Sequence, residues 1–362
     1  MENELRINTM FYLYDDPQIT LNDWLCDNNT KIGHLDEQLY NHFKNHDKRT
    51  LNPEKANIFI IGIPIVKSFF TDRTNHYNNI IQAILKVKNN KYFQINQGKD
   101  HLILADHYEL SAWADMFQNK EFTDMYQDTF EHVTSTRYEV YQKNKWISPP
   151  EYLINICPAL TLLVPNWELT RYSIIVPYNY YFNSVIIPNY DEWNTRKFYV
   201  FYQESCRDYA HGASKLRKLP VEYFIDKVNC SIGLGLPINE YSHNMKNSKY
   251  VIVTRGDTSG SHVFVNSIGA GCIPVIISDM FEKVATPFND IINLQAYTII
   301  ISEKDFVEDP HILFKTLDSL SELDIHNKIN NLIEVQKLML LEHPESTCCD
   351  AILNSFQIQI KL

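Results

Sequence analysis

The chain has 362 residues, of which 44% are hydrophobic and 21% charged, a composition typical of a globular protein and not of a disordered or fibrous one. Its formal net charge of −11 provides no basic stripe that could displace counterions from phosphates, so we expect no nucleic acid partner. The seven cysteines are scattered, with no Cys-x-x-Cys pair, and are predicted to be free thiols of a reducing compartment.

Length indicates the number of domains, and hydropathy indicates whether a signal peptide or a membrane span is present. A chain of this length exceeds what one hydrophobic core usually organises, so we expect two domains of roughly 150 to 200 residues, with a single large α/β domain as the alternative. No stretch approaches the roughly 18 consecutive apolar residues that span a bilayer, and residues 1–17 lack a signal-peptide pattern. We expect neither secretion nor a membrane anchor.

Short apolar runs separated by polar segments predict the strands of a first domain. They lie at 10–14, 57–66, 101–105, 160–164, 173–177 and 184–188. Between the first two runs, Leu35, Leu39 and Phe43 recur at the spacing of a helix. Because strands that alternate with helices form parallel sheets, the sequence predicts a parallel α/β domain over residues 1–188.

A polar stretch that begins at Pro188 is typical of a linker and precedes a second series of strands. Runs rich in β-branched residues lie at 198–202, 249–254, 273–278 and 297–302. With the amphipathic stretches between them, they predict a second βα domain over 197–345. The last segment, 346–362, is predicted to pack back on the N-terminal domain.

The most informative segment, 246–279, combines a strand, a small polar turn, an apolar helix and a second strand. The turn places Gly256 where the backbone must be free or closely approached, and Ser261 can cap the helix. Unpaired N–H groups and the helix dipole at that point favour a phosphate, with Arg255 and His262 beside it. The alternative is a well-capped connection that binds nothing.

This segment resembles the donor-binding signature of the exostosin-like transferases, glycosyltransferase family 47. The signature contains Gly-Asp-Thr, a serine, an apolar helix and Gly-Cys-Ile-Pro-Val-Ile. The corresponding positions here are Gly256, Asp257, Thr258, Ser261 and 271–276. Four other blocks agree with the family in order and spacing: 11–17, 52–64, 98–107 and 196–203.

The chain departs from the family pattern at several positions. His262 stands where the family usually has arginine, and Asn266 where it usually has an acid within the helix. Gln203 or Glu204 replaces a loop glycine, and the family's His-Asp pair is reversed, as Asp106-His107. Contacts to the ribose or the diphosphate are therefore expected to differ, and the donor is left open.

The resemblance implies an α/β GT-B fold, in which two Rossmann-like parallel-sheet domains face a central cleft. Residues 1–188 would then bind the acceptor and residues 197–345 the nucleotide sugar. The implied reaction is inverting transfer of a sugar from a nucleotide diphosphate to a glycan hydroxyl. The implied donor is a UDP-sugar such as UDP-xylose, UDP-galactose or UDP-glucuronic acid, and the acceptor an oligosaccharide or glycoprotein glycan. Animal and plant members carry a membrane anchor, and this sequence shows no apolar stretch of that length. We therefore expect a cytoplasmic protein of a bacterium or of a virus-infected host cell.

An inverting transferase needs a general base within hydrogen-bond reach of the acceptor hydroxyl. Asp106, assisted or replaced by His107, is the first candidate because both residues follow the strand 101–105 and would emerge at its carboxyl end. Asp100 and His101, at the other end of that strand, are the second choice. The alternative role of Asp106 is a helix cap or a surface salt bridge.

Charge that develops on the leaving diphosphate would be stabilised by the helix start together with Arg217 and Arg255. The alternatives are a solvated helix face for Arg217 and a surface position for Arg255. The predicted substrate-binding residues are Arg217, Arg255, Gly256, Asp257, Thr258, Ser261, His262 and Asn266. Because no Asp-x-Asp follows a strand in a turn, we expect no metal, and no cofactor besides the donor.

Three other interpretations stay open. The first is a catalytically inert GT-B-like protein that binds a glycan or a partner, motivated by His262 and Asn266. The second is an NAD-dependent oxidoreductase, disfavoured by the missing Gly-x-Gly-x-x-Gly. The third is an enzyme, such as an epimerase, that acts on nucleotide sugars alone.

Overall fold

The structure is a computed structural model. It describes residues 9–20, 35–65, 67–68, 75–104, 161–164, 173–182, 184–204, 214–256 and 259–361. These residues belong to two compact units. The first unit contains the described residues up to 104, together with 161–176 and 349–361, and the second contains those from 177 to 348.

A five-stranded parallel sheet forms the centre of the first unit. Its strands pair in chain order and are β1 (Phe11–Tyr14), β2 (Ile58–Ile61), β3 (His101–Leu104), β4 (Thr161–Val164) and β5 (Ser173–Ile175). Every residue of β2 and β3 is buried, as expected for strands covered on both faces. The described helices are α1 (Pro17–Thr20), α2 (Leu35–Lys44), α3 (His76–Lys88) and α4 (Lys91–Asn96).

The second unit also contains a five-stranded parallel sheet, whose strand order is not the order of the chain. The strands are β6 (Phe198–Glu204), β7 (Ser231–Leu234), β8 (Ser248–Thr254), β9 (Ile273–Ile277) and β10 (Ile299–Ile300). They are arranged as β10-β9-β8-β6-β7, so the direction in which the chain builds the sheet reverses between β6 and β8.

Helices connect the strands of the second unit and follow the last one. They are α5 (Tyr190–Asn194), α6 (Ser214–Phe224), α7 (Ile238–Lys246), α8 (His262–Gly269), α9 (Phe281–Val284), α10 (Glu303–Glu308), α11 (Ile312–Asp318) and α12 (Glu322–Met339). A capping box of Ser321 and Asp324 begins α12. The prediction of two parallel-sheet α/β domains is confirmed.

The last helix, α13 (Cys348–Lys361), belongs to the first unit from residue 349 onward. Lys48 Nζ lies 2.5 Å from Asp350 Oδ1, and hydrogen bonds from His46 and Lys48 lower the pKa of Asp350 to about 2. Gln357 also donates a hydrogen bond to the hydroxyl of Thr9. Among the described residues, no helix is both long and apolar enough to cross a membrane.

The sequence predicts one strand that is absent from the described residues and misses another. The apolar run 184–188 is not a strand: the Ile186 N–H donates to the carbonyl of Gly269 at 2.8 Å, and its own carbonyl accepts from Gln336 at 2.8 Å. The backbone of this run therefore bonds to residues of two helices and not to a neighbouring strand. Conversely, β7 had no predicted counterpart, because it is a short edge strand that contains Gly233.

Candidate functional site

A cavity of about 100 Å³ lies at the carboxyl ends of β6 and β8. Its walls come from the end of β6, from α6, from the end of β8 with the turn after it, and from the start of α8. The lining residues are Phe201, Tyr202, Gln203, Arg217, Ile252, Thr254, Arg255, Gly256, Ser261 and Val263. Since β6 and β8 are the strands between which the order reverses, the cavity lies where open α/β sheets bind ligands. Its volume is below the roughly 300 Å³ of a whole small-molecule site, so it would enclose only part of a ligand.

The amino end of α8 forms one wall of this cavity. Ser261 has an extended backbone, and its hydroxyl accepts a hydrogen bond from the Val263 N–H at 3.2 Å, which makes it the N-cap of the helix. The turn before it is held in place by Ser278, whose hydroxyl donates to the carbonyl of Ser259 at 3.3 Å. The positive end of the α8 dipole therefore lies at the cavity, where it favours an anion.

Gly256 contributes open space to the same turn. Within the described part of the chain, no atom lies within 4 Å of the position that a Cβ of Gly256 would occupy. A ligand can therefore approach the backbone closely here, as the sequence predicted for this glycine.

Arg255 is almost completely buried, with 5% of its surface exposed, so the alternative of a surface position is wrong. Its Nε lies 3.0 Å from both carboxylate oxygens of Glu303, the first residue of α10. The Glu303 N–H donates to Asp279 Oδ1 at 2.8 Å, and the Asp279 N–H donates to Glu303 Oε1 at 3.2 Å. Burial raises the pKa of the Glu303 carboxyl, and Arg255 opposes that shift.

Arg217 lies on α6 and is partly buried. Its backbone carbonyl accepts a 2.8 Å hydrogen bond from the hydroxyl of Tyr202 on β6, which ties the helix to the strand. Four of the predicted substrate-binding residues are thus brought together at one cavity: Arg217, Arg255, Gly256 and Ser261.

His262 and Asn266, which the sequence predicts to bind substrate, are not among the residues that line the cavity. The His262 ring packs against Tyr178 and Tyr181, with centroids 4.1 and 4.8 Å away, and its Nε2 lies 3.3 Å from the Tyr181 hydroxyl. Burial lowers the pKa of His262 to about 4, so the ring is neutral at physiological pH. Asn266 is buried, and its Oδ1 accepts from the Tyr181 N–H at 3.1 Å. Both residues hold the segment 178–181 against α8.

The other predicted site residues are not available for comparison. Asp106, His107, Asp257 and Thr258 lie outside the described residues. The second choice for the base can be judged, because His101 has no exposed side-chain surface. Its Nε2 lies 3.0 Å from the Tyr14 hydroxyl and its Nδ1 2.7 Å from Asp100 Oδ1, which leaves no ring nitrogen for an acceptor sugar.

Sequence reasoning missed two residues of the site. Gln203 was noted only as a replaced glycine, yet it lines the cavity at the end of β6. Glu303 was not considered. A signal for it existed, since an acid that directly follows the predicted strand 297–302 lies at the sheet edge where Arg255 follows its own strand.

These observations define a parallel α/β protein whose second unit has a cavity lined by two arginines, at the point where its strand order reverses. The family model described as Exostosin GT47 domain matches residues 9–317, and the chain belongs to this family.

Relatives of this chain carry related names. A probable glycosyltransferase of Arabidopsis thaliana is 29% identical over 305 residues, which are 82% of this chain and 51% of the relative. An exostosin-1 homolog of Caenorhabditis elegans is 34% identical over 77 residues, which are 21% of this chain and 19% of the relative. The chain thus spans about half the length of the Arabidopsis protein, and a smaller part of the nematode one.

Among solved structures, a glycotransferase of kitacinnamycin superposes with a TM-score of 0.34 and 9% identity, covering 96% of this chain and 84% of that one. Within the described ranges, no three His, Cys, Asp or Glu residues are grouped so that they could hold a metal ion.

Proposed function

We propose that this protein is a glycosyltransferase that moves a sugar from a nucleotide diphosphate donor to a glycan hydroxyl, and that the donor's phosphates bind in the cavity beside α8. The observation that carries the proposal is the convergence of Arg217, Arg255, Gly256 and Ser261 on one cavity at the amino end of a helix. Membership of the Exostosin GT47 family supports the same reaction class.

The chemistry of the cavity suits a diphosphate leaving group. Two guanidinium groups and the start of α8 place positive charge where negative charge would build up as the glycosidic bond to the donor breaks. Gly256 leaves room for the phosphate oxygens beside the backbone. Because these donors are held by the fold before the substrate arrives, they stabilise the transition state without reorganisation.

The finer features of the reaction rest on the resemblance alone, and we propose them on that ground. The donor is a UDP-sugar such as UDP-xylose, UDP-galactose or UDP-glucuronic acid, and the acceptor is an oligosaccharide or a glycoprotein glycan. Transfer proceeds with inversion, with Asp106 or His107 as the general base and without a metal ion. The protein acts in the cytoplasm and binds no nucleic acid.

A second candidate is an inert GT-B-like protein that binds a glycan or a partner. It is favoured by one observation: His262 and Asn266, which replace the usual arginine and acid, are engaged in contacts with the segment 178–181. An inert protein would neither hydrolyse nor transfer any donor.

Calorimetry with UDP, GDP and CMP tests the proposal. We expect UDP to bind, and Arg217→Ala to weaken that binding by about tenfold, since a charge-assisted hydrogen bond contributes roughly 1.5 to 3 kcal/mol. Lys218→Ala is the matched control, because Lys218 is the next residue of α6, carries the same charge and is exposed outside the cavity. A wild-type protein that binds no nucleotide, or an equal loss in both variants, would contradict the proposal.

A further inference from the structure

Glu303 contacts Arg255 from outside the cavity. Its side chain is only 15% exposed, and both of its carboxylate oxygens lie 3.0 Å from Nε of Arg255. Arg255 lines the cavity, whereas Glu303 does not. The carboxylate therefore contacts Nε of an arginine that lines the cavity, without lining the cavity itself.

The carboxylate is itself held by the backbone. Glu303 and Asp279 exchange two hydrogen bonds, one from the N–H of each residue to the carboxylate of the other, at 2.8 and 3.2 Å. Asp279 follows β9 by two residues and Glu303 begins α10, so the pair joins two neighbouring strand ends. A carboxylate fixed in this way holds Nε in place and so restricts the direction in which the rest of the guanidinium points.

Two effects of Glu303 on anion binding oppose one another. Its negative charge lowers the net positive charge beside the cavity, which would weaken the binding of a phosphate. Its contact, however, is a close ion pair with a guanidinium that is 5% exposed, and breaking a buried ion pair is costly. The net effect of Glu303 on anion binding therefore depends on which of the two, charge or contact, dominates.

From this geometry we infer that Glu303 is a positioning residue, which orients the Arg255 guanidinium towards the diphosphate of the donor. The inference rests on the proposed function, and it adds a residue whose effect is transmitted entirely through Arg255.

The test compares three variants by their affinity for UDP and for uridine, measured by calorimetry. Glu303→Gln removes the charge, Glu303→Asp keeps the charge but shortens the side chain, and Glu308→Gln removes an exposed charge from the same helix as the control. We expect both Glu303 variants to weaken UDP binding by about tenfold, since each disrupts a charge-assisted contact. Uridine binding should be unchanged, and Glu308→Gln should behave as the wild type.

A double-mutant cycle separates positioning from a general structural role. In an Arg255→Ala background, Glu303→Gln should cause no further loss of UDP affinity, because Glu303 acts through Arg255. A purely structural role would instead weaken uridine and UDP alike, and would add to the effect of Arg255→Ala. If Glu303→Gln does not fold, Glu303→Asp decides the question.

The outcomes also distinguish this inference from the proposed function. A wild-type protein that binds no nucleotide overturns both. If the wild type binds UDP, the positioning role alone is overturned by either of two results. One is that Glu303→Asp binds UDP as tightly as the wild type, and the other is that Glu303→Gln binds it more tightly.

Discussion

Two glycines of the family signature should respond to alanine in opposite ways. Gly271, in the turn between α8 and β9, has a φ of +67°, in the left-handed region that favours glycine. A Cβ there would lie 2.8 Å from the carbonyl oxygen of Ile186 and 3.0 Å from a guanidinium nitrogen of Arg196. That carbonyl already accepts a hydrogen bond from Gln336. Gly256 has neither constraint, because the space around it is open and its φ is not in that region.

The expected cost of Gly271→Ala follows from these contacts. The left-handed conformation costs an L-residue about 1 to 2 kcal/mol. The shift of neighbouring atoms that the close contact with the Ile186 carbonyl requires costs roughly another 1 to 3 kcal/mol, as overpacking usually does. A total of about 3 kcal/mol corresponds to a Tm lowered by roughly 10 °C for a unit of this size. Gly256→Ala should raise the free energy of unfolding by less than about 1 kcal/mol, so that Tm is unchanged or slightly higher.

Thermal unfolding with and without UDP measures both effects. Gly271→Ala should unfold at a lower temperature and still be stabilised by UDP. Gly256→Ala should unfold at the wild-type temperature and lose the stabilisation by UDP, since its methyl group would occupy part of a cavity of about 100 Å³. A lowered Tm in Gly256→Ala, together with an unchanged Tm in Gly271→Ala, would refute the reasoning.

Two further predictions concern the base and the buried histidine. Asp106→Asn should bind UDP as the wild type does and lose sugar transfer, measured by release of UDP in the presence of an acceptor; unchanged turnover would remove Asp106 from that role. His262 stays neutral in the folded protein down to about pH 4, whereas the unfolded chain takes up a proton near pH 6.5. The free energy of unfolding therefore falls by up to about 3 kcal/mol on account of His262 as the pH drops from 6.5 to 4. Urea unfolding at pH 7 and pH 4.5 should show a smaller loss for His262→Phe, and an equal loss in both proteins would contradict the assigned burial.

The sequence predicts the central strands of the second unit well because of where they lie. Strands β8 and β9 are covered on both faces and so appear as continuous apolar runs, as in 249–254 and 273–278. The edge strand β7 gives no such signal. The run 184–188 gives a false one, because the backbone of Ile186 bonds to Gly269 and Gln336 in distant parts of the chain, which local patterns cannot show.

The candidate site divides in the same way. The turn with Gly256 and Ser261 is local, so its residue types alone predict a strand, a turn and a capped helix. The contact of Arg255 with Glu303 depends on β8, β9 and β10 lying side by side in the sheet, which no local pattern contains. The role of His262 likewise depends on the tyrosines of the segment 178–181, more than 80 residues earlier in the chain.

The position of a bound nucleotide tests the proposed function most directly. A crystal structure with UDP should show the phosphates within about 3 Å of the first N–H groups of α8 and of the Ser261 hydroxyl, with Arg217 and Arg255 alongside. Phosphates bound elsewhere, with the amino end of α8 closed by protein atoms, would contradict it.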